Sequence, residues 1–89
     1  MTGNNVKNEL EEDLRLVSGT FAVHVMLDRK KFKDEDKGPL VGAIKDVVYA
    51  MKVQNIGHYP LEFEAHHARV SIRRHMASQG EKIKVAFGK

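Results

Sequence analysis

The segment LEFEAHHARVSIRRHMASQ, residues 61–79, allows two interpretations that lead to different folds. As a helix it carries one apolar stripe, formed by Leu61, Ala65, Ala68, Ile72 and Met76, and Gly80 follows as a C-cap. As two strands, LEFEA and ARVSIRR form a hairpin around His66-His67, since Phe63, Val70 and Ile72 favour strands. A two-residue hairpin loop usually contains Asn or Gly, and neither is present here. The helix is therefore the prediction, and the hairpin is the alternative.

The segment before it predicts a helix more clearly. Gly38-Pro39 precedes residues 40–54, and proline suits the first turn of a helix because its missing N–H costs no hydrogen bond there. The helix has a broad apolar face, formed by Leu40, Ile44, Val47, Val48 and Met51. Asn55-Ile56-Gly57 then predicts a left-handed stop at its C-terminus.

The remaining elements complete an α+β pattern. Residues 5–17 predict a short helix, because apolar residues recur every three or four positions before Ser18-Gly19. Residues 21–28 and 82–87 alternate apolar and polar positions, which predicts two strands. The expected fold is one domain over residues 1–89 in the order α-β-α-α-β. A two-stranded sheet is marginal alone, so we expect the strands to pair antiparallel or to be completed across a dimer.

Composition limits how this domain is stabilised and where it works. The chain has 89 residues, 42% of them hydrophobic, and no cysteine, so it has a thin core and no disulfide framework. This combination favours self-association, and a homodimer is expected. Residues 1–8 show no secretory signal, and no apolar run approaches the roughly 20 residues that span a bilayer. We therefore expect a cytoplasmic protein without a membrane partner.

No pattern of catalytic or metal-binding residues emerges. The five histidines lack the short fixed spacings of zinc ligands; they are His24, His58, His66, His67 and His75. No serine lies in a Gly-x-Ser-x-Gly turn, and no phosphate-binding glycine loop is present. The sequence therefore predicts no catalytic residue, no metal site, no cofactor and no enzymatic activity.

Charge is distributed unevenly along the chain. Residues 1–28 carry a net charge of −3, whereas residues 68–89 carry +5. Clustered cations are typical of proteins that bind nucleic-acid phosphates. The predicted nucleic-acid contacts, to DNA or RNA, are Arg69, Arg73, Arg74, Lys82 and Lys84. The expected function is that of a small basic, non-enzymatic nucleic-acid-binding accessory protein.

A second hypothesis comes from another apolar stripe on the same predicted helix. Phe63, Val70 and Ala77 are spaced by seven residues and lie opposite the first stripe. A helix that is apolar on both sides is either buried twice or offers one side to a partner. These three residues are the predicted partner or dimer interface. The alternative function is thus a protein-interaction module that modulates a host or partner protein through an apolar patch with a charged rim.

The segment ARVSIRRHMASQGEKIKV resembles the ends of small uncharacterised phage-encoded proteins, in which an Arg-rich helix, a glycine and a basic strand follow one another. The residues that match this outline are Arg69, Arg73, Arg74, Gly80, Lys82 and Lys84. The resemblance covers about a fifth of the chain; it implies an origin in phage or a mobile element and no particular activity. The predicted element order also resembles a winged helix, which implies that residues 61–79 form a DNA-recognition helix.

Overall fold

The computed structural model describes residues 3–88 of the protein. Over this range the chain forms two helices and four strands: α1 (Gly3–Val17), β1 (Phe21–Leu27), α2 (Lys37–Gln54), β2 (Leu61–Ala65), β3 (Ala68–Arg74) and β4 (Ile83–Phe87). Short 3-10 turns lie at Asp34–Asp36 and Ala77–Gln79. The α+β class is confirmed. Helices α1 and α2 and strands β1 and β4 correspond to the four elements predicted outside residues 61–79.

The segment of residues 61–79 was predicted wrongly as a helix, because it forms the β2–β3 hairpin. His66 and His67 make the two-residue turn with φ of 51° and 64°, so both occupy the left-handed region. Histidine visits this region more often than most residues do, which lets it replace the usual Asn-Gly pair. The observed order is therefore α-β-α-β-β-β, and the recognition helix of a winged helix is absent from residues 3–88.

The strands of residues 3–88 form one mixed sheet in the order β2-β3-β1-β4. Strand β3 is antiparallel to both β1 and β2. Strands β1 and β4 do pair with each other, but they run parallel, so the predicted antiparallel pairing is wrong. The physical reason is the long connection between them: a helix and a hairpin return the chain to the end of the sheet at which β1 begins, and parallel strands require such a crossover.

Both helices pack on the same face of the sheet, and the core lies between them and the strands. Helix α1 buries Val6, Leu10 and Leu14, at the spacing that the sequence predicts. Helix α2 also follows the predicted pattern, with Leu40, Ile44, Val48 and Met51 buried. An ion pair between Lys37 and Glu9 joins the two helices at the surface.

Helix α2 ends as its sequence predicts. Asn55 adopts the left-handed conformation with φ of 52°, and the Ile56 N–H donates a hydrogen bond to the Met51 carbonyl at 3.2 Å. The Met51 carbonyl also accepts the N–H of Asn55, so both residues after the helix bond back to its last turn, as is typical of a left-handed C-terminal stop. The chain then turns toward β2, which places the hairpin beside β1.

Candidate nucleic-acid interface

The face of the sheet that points away from the helices is here called the open face. Side chains alternate between the two faces along each strand, so burying one set of residues against the helices leaves the other set on the open face. Among the latter, Ala22 is itself buried by its neighbours. In β3, Ala68, Val70 and Ile72 are buried against the helices. The open face consists of Glu62 and Glu64 in β2, Arg69, Ser71 and Arg73 in β3, Ala22, His24 and Met26 in β1, and Lys84 and Ala86 in β4.

The strand register fixes which of these side chains are neighbours. His24 lies between Ser71 of β3 and Lys84 of β4. Ala22 lies beside Arg73, and the Val23 N–H donates to the Lys82 carbonyl at 2.8 Å, which brings Lys82 to the same end of the sheet. Adjacent strands are about 4.8 Å apart, so Arg73 and Lys82 lie about 10 Å from each other across β1.

Arg69 lies on the open face, but its charge is already compensated. Its Nη2 donates to Glu64 Oε2 at 2.7 Å, and its Nε donates to the same oxygen at 3.3 Å. The hydrogen bond and the negative charge of Glu64 together raise the pKa of the Arg69 guanidinium above its ordinary value. This residue therefore contributes little net positive potential to the open face.

Arg74 lies on the opposite side of β3 from Arg73. Its guanidinium carbon is 5.6 Å from the centroid of the Tyr59 ring, and its Nη2 lies 3.4 Å from the Tyr59 hydroxyl. Tyr59 in turn packs against Phe21, with ring centroids 6.1 Å apart. Arg74 thus covers the aromatic pair at the end of the sheet and does not join the cations of the open face.

Three of the five predicted contacts remain together, and we refer to Arg73, Lys82 and Lys84 as the basic cluster. Within residues 3–88 none of the three forms an ion pair. Arg73 and Lys84 are exposed, and Lys82 is half-buried. The cluster lies at the end of the sheet where β1 begins, whereas the carboxylates Glu62 and Glu64 occupy the β2 edge.

His24 also belongs to the open face, although it is not among the nucleic-acid contacts that the sequence predicts. Its Nε2 lies 3.3 Å from the Glu81 carbonyl, so the ring leans toward the segment that leads into β4. The strand pattern of residues 21–28 places His24 on the face opposite the apolar residues, and this alternation is the signal that could have identified it. Its ring supplies a hydrogen-bonding group between Ser71 and Lys84.

The predicted partner stripe does not form. Phe63, Val70 and Ala77 share a face only on a helix, and this segment is a hairpin followed by a 3-10 turn. Val70 is fully buried beneath the helices and Phe63 is half-buried on the same side, whereas Ala77 is exposed in the turn. Because Val70 lies in the core, it cannot offer a surface to a partner.

The remaining histidines do not assemble into a metal site. Within residues 3–88, no three His, Cys, Asp or Glu side chains come close enough to hold a metal ion. His66 and His67 line an open cleft of about 630 Å³ at the hairpin end of the sheet, together with Asp28, Lys31 and Arg69. The cleft also includes Glu64, whose carboxylate is occupied by Arg69.

In the described range no helix has the length and apolar character needed to cross a bilayer. No protein-family model matches the chain, and comparisons with curated proteins and with solved structures found no significant match. The resemblance to phage-encoded proteins therefore stays an expectation from the sequence.

Proposed function

We propose that this protein binds nucleic acid through the open face, with the basic cluster contacting phosphates. The observation that carries the proposal is that Arg73 and Lys84, on the open face, and Lys82, at the end of the sheet beside them, form no ion pair within the described residues. Lysine and arginine that contact phosphates release counterions from the nucleic acid, which provides binding free energy. Three contacts of this kind give modest affinity at low salt.

The composition of the open face favours contacts to the sugar–phosphate backbone of the nucleic acid over contacts to its bases. Its residues within the described range include no Phe, Tyr or Trp, so it offers no ring on which a base could stack. Phosphate contacts carry no direct sequence information. The proposed activity is therefore sequence-independent binding, as suits a small accessory protein.

The protein-interaction alternative loses the surface on which it was based. With Val70 in the core, the stripe of Phe63, Val70 and Ala77 is not an apolar patch with a charged rim. The nucleic-acid hypothesis loses Arg69 and Arg74 but keeps a coherent cluster. For this reason it is the function that we propose.

The test is the salt dependence of binding to a duplex of arbitrary sequence, measured on protein freed of bound nucleic acid. Replacing Arg73 and Lys84 together by Ala should weaken binding equally for unrelated sequences. It should also reduce the slope of log K against log salt by about 0.9 for each lost phosphate contact. Lys45→Ala is the matched control, since Lys45 is exposed on α2, on the helical side of the domain.

Two results would overturn the proposal. One is the absence of retention on DNA and RNA even at low salt. The other is an equal loss of binding in Lys45→Ala, because that would reflect the overall charge of the protein and not this surface.

A further inference from the structure

Both edges of the sheet are free within residues 3–88. Strands β2 and β4 are five residues long and lie at opposite ends of the strand order. No backbone hydrogen bond from another described segment reaches the outer side of either strand. Such edges present unpaired N–H and C=O groups that can pair with another strand. The side chains beside them determine which strand that is.

On β4, the outward backbone groups belong to Ile83, Val85 and Phe87. The Val23 N–H donates to the Lys82 carbonyl at 2.8 Å, and the Gly88 N–H donates to the Leu27 carbonyl at 2.7 Å. In a parallel pair alternate residues point their backbone groups toward the partner strand. The even-numbered residues of β4 therefore bond to β1, and the odd-numbered ones face outward.

On β2, the outward groups belong to Glu62 and Glu64. A two-residue turn makes Ala65 and Ala68 the first hydrogen-bonded pair of the hairpin. Leu61, Phe63 and Ala65 consequently bond to β3, and the two glutamates between them direct their N–H and C=O groups away from the sheet.

The two edges are complementary in direction and in backbone pattern. Strand β2 is antiparallel to β3, which is antiparallel to β1, which is parallel to β4, so β2 and β4 run the same way. Two copies placed side by side would thus pair β4 with β2 in parallel. In the register that sets Ile83 opposite Phe63, the Ile83 N–H donates to the Glu62 carbonyl, and the Glu64 N–H donates to the Ile83 carbonyl.

The same register matches the side chains. Lys84 then lies opposite Glu64 on the open face. Lys82, which directly precedes β4, then lies beside Glu62. Ile83 lies opposite Phe63 on the helical side, where Phe63 is half-buried in the single copy. The apolar faces and the opposite charges therefore align together.

We propose that a second copy of this chain docks head to tail, with β4 of one copy pairing in parallel with β2 of the next. Charge selects this arrangement over the symmetric ones. Pairing β4 with β4 brings lysines against lysines, and pairing β2 with β2 brings glutamates against glutamates; like charges on facing strands are destabilising. A head-to-tail interface extends to a further copy until a ring closes or an open filament forms.

The docking does not depend on nucleic-acid binding, but the two share residues. Lys82 and Lys84 belong to the basic cluster and also face the glutamates of the adjacent copy. Nucleic acid and a second copy thus compete for these lysines, whereas Arg73 lies on β3, away from the edge. Assembly should consequently weaken when a polyanion is added.

Charge exchange between two variants gives the sharpest test, by sedimentation velocity on protein free of nucleic acid. The wild type should associate at high micromolar concentration. Lys82→Glu/Lys84→Glu alone and Glu62→Lys/Glu64→Lys alone should each raise the dissociation constant at least about tenfold. A mixture of the two should associate again, because the acidic β4 edge of one variant meets the basic β2 edge of the other.

A second pair of variants tests the backbone bonds. Glu64→Pro removes the outward N–H without touching the β3 ladder, and edge strands tolerate proline at such positions. Glu64→Ala removes the same carboxylate and keeps the N–H, so the proline variant should associate more weakly than the alanine variant. Circular dichroism checks that both remain folded.

Three results would overturn the docking: a wild type that is monomeric throughout, a mixture that fails to associate, or proline and alanine variants that behave alike. None of them bears on the proposed function, because nucleic-acid binding is measured separately and depends on Arg73, which takes no part in the docking.

Discussion

Arg69 and Glu64 form an ion pair across the β2–β3 hairpin, with 2.7 Å between Arg69 Nη2 and Glu64 Oε2. The two residues are direct cross-strand neighbours on the open face. Both side chains are about 70% exposed, at 71% and 69%, so the pair adds little to stability, but it determines how much positive charge this part of the face presents. The sequence predicts Arg69 and Arg73 alike as phosphate contacts, but within residues 3–88 Arg69 is ion-paired and Arg73 is not.

Glu64→Gln should strengthen binding of the protein to nucleic acid. The substitution removes the carboxylate that compensates Arg69, so the guanidinium becomes available to a phosphate. We expect the slope of log K against log salt to grow by up to about 0.9, the value of one added phosphate contact. Affinity measured across a salt series checks this expectation.

The control for that experiment is Arg69→Ala in the otherwise natural chain. Because the charge of Arg69 is already paired with Glu64, Arg69→Ala should change the salt slope less than Arg73→Ala does. An Arg69→Ala loss as large as that of Arg73→Ala would mean that the ion pair opens when nucleic acid binds.

Replacing the two residues of the hairpin turn should stabilise the protein. His66 and His67 both have positive φ, at 51° and 64°. Asn-Gly adopts this turn with less strain, so His66→Asn/His67→Gly should raise the free energy of unfolding by about 1 kcal/mol. Urea denaturation followed by circular dichroism measures the change. His58→Asn, in the loop before β2, is a control with no expected effect; an unchanged double variant would show that the histidines adopt the turn without strain.

The same two histidines explain how far the fold was predictable from sequence. Apolar residues in segment 61–79 recur at intervals of three and four, as in a helix, but they also alternate at 68, 70 and 72, as in a strand. Local pattern therefore does not separate the alternatives, and the choice depended on turn residues. The hairpin is stabilised by the rest of the sheet, because β3 pairs with β2 along one edge and with β1 along the other. Such pairing is long-range and does not show in local periodicity.

The candidate site was likewise predictable only in part: the positions of the two lysines follow from the sequence, but those of the three arginines do not. Lys82 and Lys84 were expected on one face of a terminal strand, and that expectation needed only the alternation around Ile83 and Val85. For Arg69, Arg73 and Arg74 the prediction assumed a helix, which places all three near one another. In strand β3, Arg69 and Arg73 lie on the open face and Arg74 lies on the other side. Only the strand register shows that Arg69 has Glu64 opposite it.

The core position of Val70 gives a stability prediction. Val70 is completely buried, so Val70→Thr places a hydroxyl among apolar side chains of nearly unchanged volume. The free energy of unfolding should fall by about 1–3 kcal/mol, the cost of burying an unpaired hydroxyl. Val53→Thr is the matched control, because Val53 is 65% exposed on α2. Equal effects in the two variants would contradict the burial of Val70 and restore it as a surface residue.

Arg73 and Arg74 are adjacent in the chain but lie on opposite sides of β3. Replacing Arg73 should therefore affect nucleic-acid binding, whereas replacing Arg74 should affect stability. Arg73→Ala should reduce the salt slope of nucleic-acid binding by about 0.9 and leave the melting temperature unchanged, because the side chain is exposed and has no ion-pair partner among residues 3–88. Arg74→Ala should leave the slope unchanged and lower the free energy of unfolding by about 0.5 kcal/mol, since the Arg74 guanidinium lies over the Tyr59 ring. Tyr59→Leu in the Arg74→Ala background should then cost no further cation–π energy, so the remaining loss of stability reports the packing of the ring against Phe21.

The salt slope and the free energy of unfolding are measured for both Arg73→Ala and Arg74→Ala. We expect Arg73→Ala to change only the slope and Arg74→Ala to change only the stability. If Arg74→Ala weakened binding as much as Arg73→Ala did, the phosphate-binding surface would extend around the end of the sheet and would not be limited to the open face.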